Sequence, residues 1–149
     1  MCTQTLNIRP LNVADYEEMM ALWRRSGLHS LRPEGRDSQA EIARQLESGV
    51  QTILGLESDA QLIGIVVATH DSRKGWINRL AVDPAYRRQG HAKRLVEAAE
   101  RVLRAQGMRV IAALIENDNL TSLNLFQEAG YVEIDPEMHY VTKRDSDAA

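Results

Sequence analysis

The stretch from Trp76 to Gly107 constrains the fold more than any other part of the chain. Ala92, Leu95, Val96, Ala99, Val102 and Leu103 share one helical face, with Lys93, Arg94, Glu97, Glu100, Arg101 and Arg104 largely opposite. Gly107 closes that helix in the position where helices commonly stop. Trp76 to Val82 alternates as a strand, and Asp83-Pro84 ends it because proline cannot donate to a ladder and restricts its predecessor. Only the short loop holding Tyr86, Arg87, Arg88, Gln89 and Gly90 separates strand from helix.

That junction is suited to an anion. A helix N-terminus carries unpaired N–H groups and about half a positive charge. Gly90 and the small Ala92 let a ligand approach the backbone, and Arg87 and Arg88 add charge where a diphosphate would lie. The expected ligand is a phosphorylated small molecule with an extended arm. There is no GxxxxGK[ST] run for a Walker loop and no G-x-G-x-x-G for a dinucleotide fold.

The remaining segments suggest a mixed sheet. Thr5 to Arg9 reads as an opening strand ended by Pro10. Asn12 offers a helix cap to Tyr16, Met19, Met20 and Trp23, with Gly27 as the stop. Ile42 and Leu46 mark a second helix. Gln51 to Glu57 and Gln61 to His70 form a hairpin around Ser58-Asp59-Ala60. Val110 to Ile115, apolar throughout, predicts a strand covered on both faces. Leu120 to Ala129 predicts a helix, and Tyr131 to Ile134 and Met138 to Lys143 predict two last strands around Asp135-Pro136-Glu137. The fold class expected is α+β, with a βαβ crossover in a mixed α/β arrangement. At 149 residues, without linker or repeat, one domain spans 1–149, its ordered core about 5–143 and its tail (145–149) flexible.

Composition serves mainly to exclude. A formal net charge of −3 argues against a dedicated nucleic-acid binder. No apolar run approaches the roughly 20 residues of a membrane span, and no secretory leader is visible. Lone Cys2 cannot form an internal disulfide. These features point to a cytoplasmic protein. His29, His70, His91 and His139 show no ligand spacing such as HxxxH, so no metal is expected. His91 sits at an unspecified position of the loop and is expected to be tolerated rather than needed.

Arg87-Arg88-Gln89-Gly90-His91-Ala92 fits R-x-x-G-x-A and follows Leu80-Ala81-Val82-Asp83-Pro84. Together with the helix after it, this stretch resembles the pyrophosphate-binding motif of the GNAT N-acetyltransferase superfamily. Asn119, followed by Phe126-Gln127-Glu128-Ala129-Gly130-Tyr131, resembles that family's later segment, and the likeness runs from Leu6 to about Lys143. The resemblance implies a strongly twisted mixed sheet flanked by helices on both faces, with acetyl-CoA held between two splayed central strands. The backbone of Leu80, Ala81 and Val82 would pair with the pantetheine arm, and Arg87, Arg88, Gln89, Gly90, His91 and Ala92 would hold the pyrophosphate. Asn119 and Phe126 would line the other side. The partners implied are acetyl-CoA and an unidentified amine acceptor, and homodimers are common in the family.

The reaction implied is direct attack of a neutral amine on the thioester. A carboxylate or water chain takes up the proton, and an N–H near Leu80 or Ala81 stabilises the oxyanion. Glu116, just after the apolar strand, is the first candidate base and Asp71 the second. Each also has a plainer reading, as a solvated carboxylate at a strand end and as a turn residue beside Gly75. Many relatives have tyrosine where Phe126 stands, to protonate the departing thiolate. Phenylalanine cannot do so, which leaves Tyr131 or Tyr140 as substitutes by residue type, or an unassisted thiolate. Arg79, opposite in face to Leu80, is placed to point into an acceptor cleft. Two other readings use the same residues. One is a non-catalytic acyl-CoA-binding module, and the other a nucleotide- or phosphate-binding α/β domain.

Overall fold

The computed structural model describes residues 4–134 and 138–149. Its strands are β1 (Leu6–Pro10), β2 (Gln51–Ser58), β3 (Gln61–His70), β4 (Gly75–Val82) and β5 (Ile111–Ala113), and its helices are α1 (Tyr16–Arg25), α2 (Gln39–Glu47), α3 (His91–Ala105) and α4 (Leu120–Glu128). The strands form one sheet in sequence order. All neighbours are antiparallel except β4 and β5, which run parallel and are joined across α3. A mixed sheet with helices on both faces is the α+β architecture expected.

Strand alternation divides the core in two. Leu54, Leu56, Val66, Ala68 and Ile77 face α3, whose Leu95, Val96, Ala99 and Leu103 are fully buried against them. Ile53, Ile65 and Val67 face the other way, onto Met19, Met20, Leu22 and Trp23 of α1 and Ile42 of α2. Each such buried side chain stabilises the fold by about 1.5–3 kcal/mol in area terms. Gly64 allows α3 to lie this close, since a Cβ there would come within 2.8 Å of Leu95 Cδ1.

Two sequence expectations are corrected. The apolar run at Val110–Ile115 is not a strand covered on both faces: β5 is three residues long and half-buried, with Val110 and Leu114 exposed beside it. As the edge strand it has a ladder on one side only. The two final strands do not form among the described residues. Val132, Ile134, Met138, Tyr140 and Val141 alternate with polar neighbours yet are at least 66% exposed, because so short an edge strand offers them no ladder to join. Their expected turn, Asp135-Pro136-Glu137, lies outside the described residues, as does Cys2. In the described tail, Ala148 lies against Gly35, and the main-chain oxygen of Ala149 accepts from Arg36 and Arg144.

Candidate functional site

β4 and β5 pair only from Gly75↔Ile111 to Ile77↔Ala113. Beyond that point the parallel ladder stops with the end of β5, leaving Asn78 to Val82 paired with β3 alone, and even that pairing is broken. Ile65 opposes Ala81 and Val67 opposes Asn78, so Arg79 and Leu80 together face the single residue Val66. This is a β-bulge. Arg79 occupies the left-handed region at φ +50, a conformation costing a side chain about 1–2 kcal/mol. Its surroundings hold it there. Its carbonyl accepts from the Trp23 indole N–H (3.2 Å), its guanidinium lies 5.5 Å over the Trp23 ring, and both its terminal nitrogens donate to the carboxylate of Asp37 (2.5 and 2.9 Å).

The bulge sends its two side chains to opposite faces. Leu80 packs with the α3 core, whereas Arg79 lines a cavity of about 270 Å³ on the α1–α2 face. Trp23, Ile42, Ile53 and Val67 form its apolar wall, and Gln45, Gln51, Thr69 and Asn78 its polar one. Arg36, Asp37 and Arg79 are its charged residues. Asp37 is 2% exposed and fully engaged: its oxygens take both Arg79 bonds and the Arg32 N–H (2.7 Å), and its own carbonyl accepts from the Tyr16 hydroxyl (2.7 Å). Arg79 stands opposite Leu80, but through the bulge and not through regular alternation: Ile77, two residues before Arg79, packs on the α3 face with Leu80. Asp37 had no periodic signal, since its partner is 42 residues away.

The second half of the site follows β4. The Asp83 carboxylate accepts from the Ala85 N–H (2.9 Å) and from Arg25 (2.8 Å), fixing the turn that leaves the strand. The Ala85 bond, with Arg25 adding to it, holds its pKa below the usual carboxylate range despite burial. Arg88 at φ +63 and Gly90 at φ +81 then place two left-handed residues just ahead of α3, the αR-αL type of geometry that makes concave sets of N–H groups. Gly90 is the N-cap and no side chain caps the helix. The first α3 bond to a cap carbonyl is Arg94 N–H to Gly90, which leaves the N–H groups of His91, Ala92 and Lys93 directed out of the helix end. Arg87, Arg88, Gln89, Lys93 and Arg94 are exposed around them. His91 is 4% exposed, neither ring nitrogen has a partner among the described residues, and burial followed by the charge of Arg94 lowers its pKa.

The other residues singled out are dispersed. Glu116 is exposed in the loop after β5, three residues beyond the last pair with β4. Asp71 lies in the β3–β4 turn, its carboxylate at about 2 because the Lys74 and Arg73 N–H groups donate to it (2.8 and 2.9 Å). Asn119 uses its side-chain oxygen to cap α4 through the Ser122 N–H. Phe126 is buried in the α3-side core, edge-on to the Tyr131 ring at 5.0 Å. Tyr131 donates its hydroxyl to Glu100 (3.0 Å), and burial together with that carboxylate pushes its pKa far up. Tyr140 is 79% exposed. Neither tyrosine thus stands as a ready proton donor. No helix among the described residues is long and apolar enough to cross a membrane.

A parallel ladder that stops after three residues, an uncapped helix end after the first of its strands, and a cavity on the α1–α2 face are thus the features of this part of the fold. The sequence matches the model of the acetyltransferase (GNAT) family over residues 16–131. Solved structures match the whole fold. A complex of AAC(6')-Iy with a CoA bisubstrate analogue shares 20% identity at TM-score 0.78, over 94% of this chain and 99% of that one. An aminoglycoside acetyltransferase from an uncultured soil metagenomic sample shares 22% at TM-score 0.78, over 95% and 99%. A PaiA N-acetyltransferase from Thermoplasma acidophilum, in complex with coenzyme A, shares 20% at TM-score 0.73, over 84% and 88%.

Proposed function

Because this chain belongs to the GNAT acetyltransferase family, we propose that it is an acetyl-CoA-dependent N-acetyltransferase whose acceptor amine enters the cavity beside Arg79. The observation that supports the reading is that the ladder with β5 stops at Ile77↔Ala113, leaving β4 unpaired on that side up to the turn into the uncapped N-terminus of α3. The unpaired β5-facing edge of Leu80, Ala81 and Val82 offers main-chain groups to the pantetheine amides. Arg87, Arg88, Gln89, Gly90, His91 and Ala92 offer N–H groups and positive charge to the pyrophosphate. Asn119 and Phe126 contribute through the position of α4, their side chains being used in its cap and in the core.

The cavity starts at Asn78 and Arg79, one step before the pantetheine edge, so an amine there would meet the thioester end of the arm. Attack on the carbonyl forms the C–N bond and expels the CoA thiolate. Main-chain N–H groups at the bulge stabilise the oxyanion. The amine must lose a proton, and within the cavity the single carboxylate, Asp37, is bound to Arg79. Water in the cavity therefore accepts it, with Glu116, in the loop after β5, as the candidate base. Asp71 is too acidic and too committed to its turn for the part. The thiolate leaves without a tyrosine. A simple thiol titrates at about 8.5, so the anion is a tolerable leaving group near neutrality.

One observation favours a second reading. The buried Phe126 and the engaged Tyr131 leave no proton donor in the usual place, as in a non-catalytic acyl-CoA-binding module. Thiol release from acetyl-CoA, measured across a panel of amines, decides between them. An amine-dependent release supports the transferase. Tight CoA binding without release for any amine supports the module.

A further inference from the structure

We infer that Arg25, in the last turn of α1, is a positioning residue for acetyl-CoA: it holds the Asp83 carboxylate that sets the turn into the Arg87–Ala92 loop. This rests on the cofactor reading of that loop and adds to it a residue from a different element.

β4 gives way to the loop through Asp83. The Asp83 N–H still belongs to the sheet, donating to the Ile63 carbonyl (2.7 Å). Its own carbonyl accepts from the Tyr86 N–H (2.8 Å) and its carboxylate from the Ala85 N–H (2.9 Å). Those two bonds close the turn at Pro84–Tyr86, from which the chain runs on to Arg87 and α3. The turn therefore depends on the direction of one carboxylate, and Arg25 sets that direction. Arg25 Nε donates to Asp83 Oδ2 at 2.8 Å, and Nη2 of the same guanidinium donates to the Leu62 carbonyl near the start of β3 (3.3 Å). One planar group thus bridges the beginning of β3 and the residue that follows β4. The Asp83 side chain is 12% exposed, so the pair's carboxylate is largely out of water, where a charge-assisted bond is stronger than at the surface.

The anchor itself is firm. Leu22 and Trp23, in the same turn of α1, are fully buried, and the Trp23 indole donates to the Arg79 carbonyl ahead of Asp83. A second tie from this end of the helix is weaker: Arg87 Nη2 reaches the Ser26 carbonyl at 3.3 Å in an exposed contact. Arg87 is also a cation for the pyrophosphate, and a phosphate oxygen competes for it. The Arg25–Asp83 pair then remains as the tie between α1 and the loop. Loosening it spreads the loop over more orientations, and ordering its N–H groups and arginines around the pyrophosphate lowers affinity.

Isothermal titration of the full chain with CoA tests this, with melting curves alongside. Arg25→Met, which keeps an apolar stem, should raise the Kd for CoA about fivefold, the size of a charge-assisted bond partly open to water. Arg25→Lys should recover part of that loss. Asp83→Asn separates positioning from the field of the charges. Removing a negative charge near the phosphate site tightens CoA binding if the field alone acts, whereas loss of the Arg25 bond weakens it. The double variant should bind no more weakly than the weaker single one, because both changes remove one interaction. Arg9→Met is the control: it breaks the pairs with Asp15 and Glu57 at the β1 edge of the sheet, and should melt lower with the parental Kd. The inference is overturned by an unchanged Kd in Arg25→Met, by tighter binding in Asp83→Asn, or by additive losses in the double variant. A rise in Kd in Arg9→Met as large as in Arg25→Met overturns it too. In each case CoA binding by the parent leaves the cofactor reading standing, and no CoA binding by the parent overturns both.

Discussion

Asp37 is the residue on which the acceptor side depends, because it fixes Arg79 in a backbone conformation that arginine otherwise avoids. Removing the carboxylate leaves a largely buried guanidinium without a counter-charge, at about 3–5 kcal/mol. Asp37→Ala should therefore lose stability of that order in chemical denaturation, and a loss under about 1 kcal/mol would show that the bulge holds without it. His91 makes a different demand. Its folded pKa lies below the ordinary 6.5, so the unfolded chain takes up the proton first. The stability tied to neutral His91 is present above 6.5 and drains as pH falls toward the folded value. His91→Leu, with nothing to protonate, should lose less stability than the parent between about pH 7.5 and about pH 5.5 in paired denaturant titrations. Equal losses would mean that His91 is not held neutral. Neither role was legible in the sequence. A buried histidine looks like any other letter in a loop motif, and a pairing over 42 positions leaves no periodicity. The opposition of Arg79 to Leu80 was legible as alternation, but the bulge that shifts the phase after Ile77 and aims Arg79 into the cavity was not.

Elements were legible where local chemistry determines them. The hairpin of β2 and β3 is one case: Asp59 (φ 49) and Ala60 (φ 67) make a two-residue turn with both residues left-handed, as the primed hairpin turns require. Alanine bears that conformation at a cost glycine does not have. Ala60→Gly should raise stability by about 0.5–1 kcal/mol, read as a higher denaturation midpoint at unchanged slope. The α3 N-terminus is another. At φ +81, Gly90 has no neighbour within 4 Å of a notional Cβ, so a side chain there would be strained and would project into the open space before the helix. Gly90→Glu should keep the fold with a modest loss of stability and abolish stabilisation by CoA, through both bulk and charge. A folded variant that binds CoA like the parent would remove the phosphate role from this loop. Where a strand depends on a distant partner the sequence misled: residues 131–134 and 138–143 read as strands, but the three-residue β5 gives them no ladder.

At the scale of the molecule, two half-cores on either side of one sheet set the two halves of the site. The α3 face supplies the helix end, and the α1–α2 face the cavity, with the β4 bulge turning one side chain toward each. The order of elements and the R-x-x-G-x-A loop singled out the first half in the sequence alone. The proposed acceptor half draws on residues from α1, α2, three strands and the loop at 28–38, and only folding brings them together. The central claim is that the opening beside β4 and the α3 N-terminus bind acetyl-CoA. A thermal-shift titration with acetyl-CoA, CoA, ADP and ATP tests it most directly. At about a hundred times its Kd a ligand stabilises the fold by about 2.7 kcal/mol, a readily measured shift. The account predicts stabilisation by acetyl-CoA and CoA and little by the nucleotides, because the pantetheine arm must reach the strand edge. No shift with either CoA species, or an equal one with ADP, would contradict it.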